Sequence, residues 1–321
     1  MSERRLGLRV FVGGAALALL TALAFGLPPA SLAQASKPSQ TAAAPPAGYA
    51  GAEACKGCHE EAFDKFAATK MGRLFLKQPR SPQEGMACES CHGPGKAHAD
   101  AGGGKAVGGM ISFAKNDPTP VETRNDKCLA CHQTGDRLYW QGSPHEARSV
   151  ACTGCHTVMT DHSPRAQLAK ETVLDTCGSC HLQKRAQQMR SSHMPLREGK
   201  MTCTSCHNPH GTVTQTLLRE NSANETCYSC HAEKRGPFLW PHPPVSESCS
   251  NCHEPHGSNH EKMLKVAKPR LCQQCHVESR HPTSAYGRDP ASPRQTLGRG
   301  CVNCHSVIHG SNHPSGHGFT R

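Results

Sequence analysis

Ten times in 321 residues the chain places two cysteines, two residues apart, directly before a histidine. The cysteines are Cys55 and Cys58, Cys88 and Cys91, Cys128 and Cys131, Cys152 and Cys155, Cys177 and Cys180, Cys203 and Cys206, Cys227 and Cys230, Cys249 and Cys252, Cys272 and Cys275, and Cys301 and Cys304. The closing histidines are His59, His92, His132, His156, His181, His207, His231, His253, His276 and His305. No cysteine of the 20 is left over. C-x-x-C-H is the attachment signature of c-type haem. Its two thiols form thioethers with the vinyl groups, and its imidazole ligates the iron from the proximal side. Zinc sites, disulfide frameworks and redox dithiols also use paired cysteines, but none of them requires a histidine after every second one. The reading is ten covalently attached c-type haems, each carrying iron.

Each iron then needs a second axial ligand. Twelve histidines lie outside the pentads. With the pentads taken two at a time, His145, His193, His242 and His281 follow the first of a pair, and His98, His162, His210, His256 and His309 follow the second. This gives five two-haem repeats, over about residues 51–110, 111–170, 171–220, 221–265 and 266–321, with nine of ten distal positions held by histidine. Met71 stands in the tenth, twelve residues after His59, as His193 stands twelve after His181. A thioether is an axial ligand that raises haem potential. Equally, a methionine fills gaps beside the apolar Phe63, Phe66, Leu74 and Phe75 of a helix. Both readings stand. If Met71 does not bind, that iron takes His260, His313 or His317, or keeps an open position. In His207-Asn208-Pro209-His210-Gly211 and His253-Glu254-Pro255-His256-Gly257, proline stiffens the link between two imidazoles. Such a link suits ligands to two neighbouring haems better than opposite faces of one.

The elements that position these groups cannot be those of an ordinary core. Hydrophobic residues are 36% of the chain, aromatic residues 4%, and mean hydropathy is −0.57. Globular domains carry about 45–50% apolar residues, so a barrel or a doubly wound sheet is excluded. The expected fold is an extended multihaem cytochrome c, mostly loop with short α-helices and almost no β-structure. Helix-forming residues and weak periodicity predict helices near 60–77, 165–190 and 224–235. Arg4, Arg5 and Arg9, the apolar run Val10 to Leu27 and Ala33-Gln34-Ala35 read as a signal peptide over 1–35, cleaved after Ala35, with an uncleaved anchor as the alternative. A flexible leader over 36–50 and a decahaem domain over 51–321 follow, with a Gly-rich insertion from Gly102 to Gly109. Export places the chain in the periplasm. No later stretch is long and apolar enough to span a bilayer. The formal charge of +11 becomes +9 without the signal segment. Ten ferric haems add about −1 each, so the basic excess balances propionates and does not indicate nucleic acid.

Cys88-Glu89-Ser90-Cys91-His92 with Gly93-Pro94-Gly95 and His98, the two C-H-x-P-H-G segments, Leu271-Cys272-Gln273-Gln274-Cys275-His276, and Cys304-His305 through His309-Gly310-Ser311-Asn312-His313-Pro314 resemble the periplasmic decahaem cytochromes of the MtrA/DmsE type. The resemblance covers about 51–321. It implies a bis-histidine wire seated in an outer-membrane β-barrel porin, with an extracellular multihaem cytochrome outside and a periplasmic or inner-membrane cytochrome as the inner partner. Met71 departs from the all-histidine pattern. Bis-ligated iron has no open position for substrate, which suits electron transfer and not bond-making. A porin would shield this polar chain from lipid. The expected function is electron transfer across the outer membrane, for extracellular metal reduction or Fe(II) oxidation, without catalysis. A soluble periplasmic shuttle and a multihaem reductase are the alternatives.

Overall fold

Each pentad is one tight turn, and the turns alternate in kind along the chain. The computed structural model describes residues 45–104, 107–214, 216–277, 300–314 and 316–318. The expected signal peptide, most of the leader and His281 lie outside the described residues. The first cysteine of every odd pentad sits in an α-helix: Ala52–Lys56 (α1), Val121–Leu129, Val173–Gly178, Ala223–Tyr228 and Arg270–Gln273. Four of the even pentads open on a single 3₁₀ turn, at Cys152–Gly154, Cys203–Ser205, Cys249–Asn251 and Cys301–Asn303, while Cys88–His92 is α-helical. The described strands are two residues each, β1 (Trp240–Pro241) and β2 (Gly310–Ser311), antiparallel with Trp240 opposite Ser311. This is the loop-rich, short-helix fold expected.

The three expected helices are interrupted. The first splits into α2 (Glu60–Ala68) and α3 (Lys70–Lys77), because Thr69 turns extended, with ψ 164°. Thr69 is fully buried; its hydroxyl donates to the Phe66 carbonyl and accepts from Gly72 N–H at 3.0 Å, which caps α3. The second is helical only over Val173–Gly178 and Leu182–Gln188. Ala166 and Gln167 are left-handed, with φ 52° and 47°, a conformation no α-helix contains. The third ends at Tyr228 and resumes as a 3₁₀ turn at Ala232–Lys234. In the last two, the break falls at a pentad histidine, His181 or His231, whose ψ of 59° or 52° swings the chain out of the helix.

Little of the interior is apolar. Among the described residues only Phe66, Ala87, Trp140 and Leu264 are buried hydrophobics, against fifteen buried polar or charged side chains. Burial of roughly 2 kcal/mol per large apolar side chain therefore cannot hold the chain, and covalent attachment must replace a core. Successive repeats instead meet through hydrogen bonds to the backbone. Asn208 donates to the Asp136 carbonyl at 2.7 Å, and Ser192 exchanges both backbone bonds with Ser258 at 3.0 and 2.7 Å. The Asp136–Arg219 pair joining the same two repeats is half-exposed and is worth less than about 1 kcal/mol.

Gly211 and Gly257 each follow a predicted distal histidine and make the close approaches. Their φ values are 117° and 127°, and a Cβ would lie 1.9 Å from the Tyr139 carbonyl oxygen or 2.1 Å from that of Gln187. Gly257→Ala is therefore expected to cost about 2–4 kcal/mol, from strain plus a backbone clash. Gly199→Ala, at φ 68° in open space, should cost about 1 kcal/mol. Thermal unfolding of the two holoproteins checks the difference; equal costs would mean that the repeats do not dock at Gly257.

Candidate functional site

In nine pentads the histidine N–H donates to the carbonyl of the first cysteine at 2.8–3.0 Å, and the second cysteine N–H shares that oxygen at 3.2–3.3 Å. One tight turn thus spans both cysteines and the histidine, as attachment of one porphyrin requires.

The thiols then form a continuous succession. The two first cysteines within a repeat touch. Cys55, Cys152 and Cys177 are pushed up and Cys88, Cys128 and Cys203 down, Cys203 to about 7, by the hydrogen bond within each pair: Cys55–Cys88, Cys128–Cys152 and Cys177–Cys203. Burial, with the facing thiols of Cys249 and Cys301, pushes Cys227 up to about 12 and Cys272 up to about 11. Between repeats the second cysteines approach. Burial raises Cys91, Cys155, Cys206 and Cys252, and the thiols of Cys131, Cys180, Cys230 and Cys275 respectively add to the effect. Every pentad thus adjoins its sequence neighbours, first cysteine to first cysteine and then second to second, from Cys55 to Cys301.

Among the described residues, six pairs of imidazoles face each other across similar gaps. Each joins one pentad histidine to one predicted distal histidine: His59–His98 at 6.4 Å between centroids, His156–His210 at 6.0, His207–His256 at 6.1, His253–His309 at 6.3, His276–His242 at 6.2 and His181–His145 at 6.1 Å. The planes lie within 14–25° of parallel in five pairs and at 70° in the last. Two imidazoles held end-on to one metal, each with a bond of about 2 Å and about 1 Å of ring radius behind it, have centroids about 6 Å apart. The rings present fit an iron between them. His207 and His210, three residues apart, turn to different partners, as do His253 and His256.

The loop after each even pentad braces its imidazole. His92 Nδ1–H donates to the Ile111 carbonyl at 2.7 Å, His156 to Ala166 at 2.8, His207 to Thr216 at 2.9, His253 to Lys262 at 2.8 and His305 to Gly318 at 2.7 Å. A carbonyl only accepts, so the proton is on Nδ1 and the Nε2 lone pair is free for metal. Such a partner fixes the tautomer and raises ligand basicity. The left-handed Ala166 and Lys262 aim these carbonyls inward. Burial also holds His132, His210, His242, His256 and His309 below the ordinary imidazole range, His210 to about 4. The neutral form, the one able to ligate, is favoured.

Among the described residues, the other predicted positions, His162, His193 and Met71, are not brought face to face with an imidazole. His162 is exposed. His193 Nδ1 bonds the Arg190 carbonyl at 2.8 Å and its Nε2 lies 3.1 Å from Glu198. Met71 is half-buried at the start of α3. Of the surplus histidines, His317 lies 5.9 Å from the Trp240 ring, His260 is half-buried and His313 is exposed.

Sequence reasoning missed three positioning residues. Asn125 and Asn224 each stand three residues before an odd pentad, and their amides accept from Cys152 N–H at 2.9 Å and Cys249 N–H at 2.7 Å, tying each odd pentad to the even one. Their equal offset is the available signal. Glu89, inside the second pentad and 2% exposed, accepts from Ala50, Gly51 and Gly95 N–H at 2.9, 2.9 and 2.7 Å. Glu89→Ala is expected to destabilise the holoprotein by about 2–4 kcal/mol, since it leaves three donors unpaired. Guanidinium unfolding measures this; an unchanged midpoint would show that water replaces the carboxylate.

These pentads and facing imidazoles define a multihaem c-type cytochrome, a protein that carries covalent haem and transfers electrons. Residues 193–236 and 242–281 match the doubled CXXCH motif, 88–180 the NrfB-like cytochrome c-type proteins, and 30–93 cytochrome c554 and c-prime. Multiheme cytochrome MtrA of Shewanella baltica (strain OS185) is 45% identical over 272 residues, which cover 83% of this chain and 80% of that protein. The chain belongs to the MtrA family of multihaem cytochromes.

Proposed function

We propose that this chain carries ten haems in sequence order and passes electrons between the periplasm and the cell exterior inside an outer-membrane β-barrel, without catalysing bond-making chemistry. The unbroken succession of neighbouring thiols from Cys55 to Cys301 carries the reading, because a haem attached at each pentad lies beside the next. Bound haem supplies one-electron redox chemistry. The chain's own residues set its order, hold each iron between two side chains and exclude competing ligands.

The pairings follow one rule. A distal residue after an odd pentad reaches forward two pentads, as His145 faces His181 and His242 faces His276. One after an even pentad reaches back two, as His210 faces His156, His256 faces His207 and His309 faces His253. No pentad lies two back from the second, and there His98 faces His59. The rule assigns His162 to His92 and His193 to His231, and leaves His281 for His305 by count. Five two-haem repeats follow from the same alternation.

Among the described residues no helix is long and apolar enough to cross a membrane. The polar surface suits a polar barrel lumen, and the membership of the MtrA family supports periplasmic residence with outer-membrane association. An extracellular multihaem cytochrome and a periplasmic or inner-membrane cytochrome complete the route, toward extracellular metal oxides or from extracellular Fe(II). Purification from native outer membranes in mild detergent tests the assembly. A stoichiometric β-barrel companion is expected. Recovery only from the soluble periplasm, with no barrel, would make the chain a shuttle instead.

A further inference from the structure

We propose that Met71 is the sixth ligand of the third haem, opposite His132, and makes that haem the high-potential step of the row. The inference rests on the haem reading above and adds to it a ligand and an address.

Met71 does not serve its own pentad, because His59 already faces His98 at 6.4 Å. It follows an odd pentad, and both odd-pentad ligands with a visible partner reach forward two pentads. Two pentads forward from the first is His132, a histidine that faces no imidazole in any of the six pairs.

Local geometry makes Met71 the counterpart of His145. Two residues before His145, the buried Ser143 hydroxyl accepts from Glu146 N–H at 3.2 Å, and the Ser143 carbonyl accepts from Ala147 N–H at 2.9 Å. Two residues before Met71, the buried Thr69 hydroxyl accepts from Gly72 N–H at 3.0 Å, and its carbonyl accepts from Arg73 N–H at 3.0 Å. The same cap sets the same turn around the same position. His145 at that position faces His181. The chain that continues from Met71 also runs to the third pentad: Arg80, three residues beyond α3, lies near enough to the Cys131 thiol for their charges to interact.

A methionine thioether would donate one of its two sulfur lone pairs and has no proton to lose, so ligation involves no redox step and no leaving group beyond a displaced water. Methionine with histidine raises haem potential relative to two histidines. The third of ten positions therefore holds an electron more tightly than its neighbours, near the N-terminal end of the row.

The test uses the purified holocytochrome, with haem count by mass read on the same sample. The oxidised protein is expected to show the long-wavelength sulfur-to-iron charge-transfer band at the strength of one haem. Met71→His should abolish the band and move one haem's share of the reductive titration to lower potential. Removing the third haem (Cys128→Ser with Cys131→Ser and His132→Ala) should also abolish it, whereas removing the first (Cys55→Ser with Cys58→Ser and His59→Ala) should leave it. Ten haems with no band, a band that survives Met71→His, or a band lost with the first haem and kept without the third would each overturn the inference. A count below ten would instead fail the underlying haem reading.

Discussion

A variant lacking the sixth haem, with Cys203 and Cys206 changed to Ser and His207 to Ala, is expected to keep nine haems and lose transmembrane electron flow by orders of magnitude. The sixth pentad is joined to the fifth through Cys177 and Cys203 and to the seventh through Cys206 and Cys230. Among the described residues no cysteine contact bridges the fifth pentad to the seventh, so an electron meeting the gap has no detour. Steady-state reduction of an acceptor across sealed vesicles reads the flow, and barrel association with nine remaining haems separates a broken wire from an unfolded chain. Flow near the parent rate in such a sample would mean that the haems branch and the linear order is wrong.

His210→Ala is expected to convert one haem, the fourth, from low to high spin while leaving the sixth unchanged, although His210 belongs to the sixth pentad's segment. Its ring faces His156 at 6.0 Å, while His207 faces His256 at 6.1 Å. Loss of one imidazole leaves iron with an open position that binds carbon monoxide. His210 is also packed against Trp140 at 6.3 Å between centroids, and the truncation leaves a cavity costing about 2–3 kcal/mol. Adding His210→Ala to a chain without the fourth haem (Cys152→Ser with Cys155→Ser and His156→Ala) should then produce no further high-spin iron. A high-spin signal that appears in that background would place His210 on another haem.

The pentads, the haem cofactor and the loop-rich fold were legible because each is a local matter: a short motif, a composition too polar for a core. The histidines outside the pentads were legible as a repeat, but the imidazole each one faces was not. His98 turns to a histidine 39 residues before it, His210 to one 54 residues before it, and His242 to one 34 residues after it, and spacing alone carries no sign for such a choice. The helix expected around 165–190 is interrupted for a related reason. Local propensity there favours helix, but Ala166 adopts φ 52° and its carbonyl binds His156 Nδ1; the tertiary demand outweighs a preference worth a few tenths of a kcal/mol per residue. Glu89 and Asn224 read as ordinary polar residues until the backbone N–H groups around them are in view.

The central claim is an electron path through the membrane-seated chain, and one measurement addresses it most directly. The native cytochrome–barrel complex is placed in vesicles sealed around a redox dye, with a membrane-impermeant reductant outside. The account predicts that the enclosed dye is reduced in proportion to the amount of complex. Dye that stays oxidised in vesicles whose complex holds ten haems and an intact barrel would contradict it.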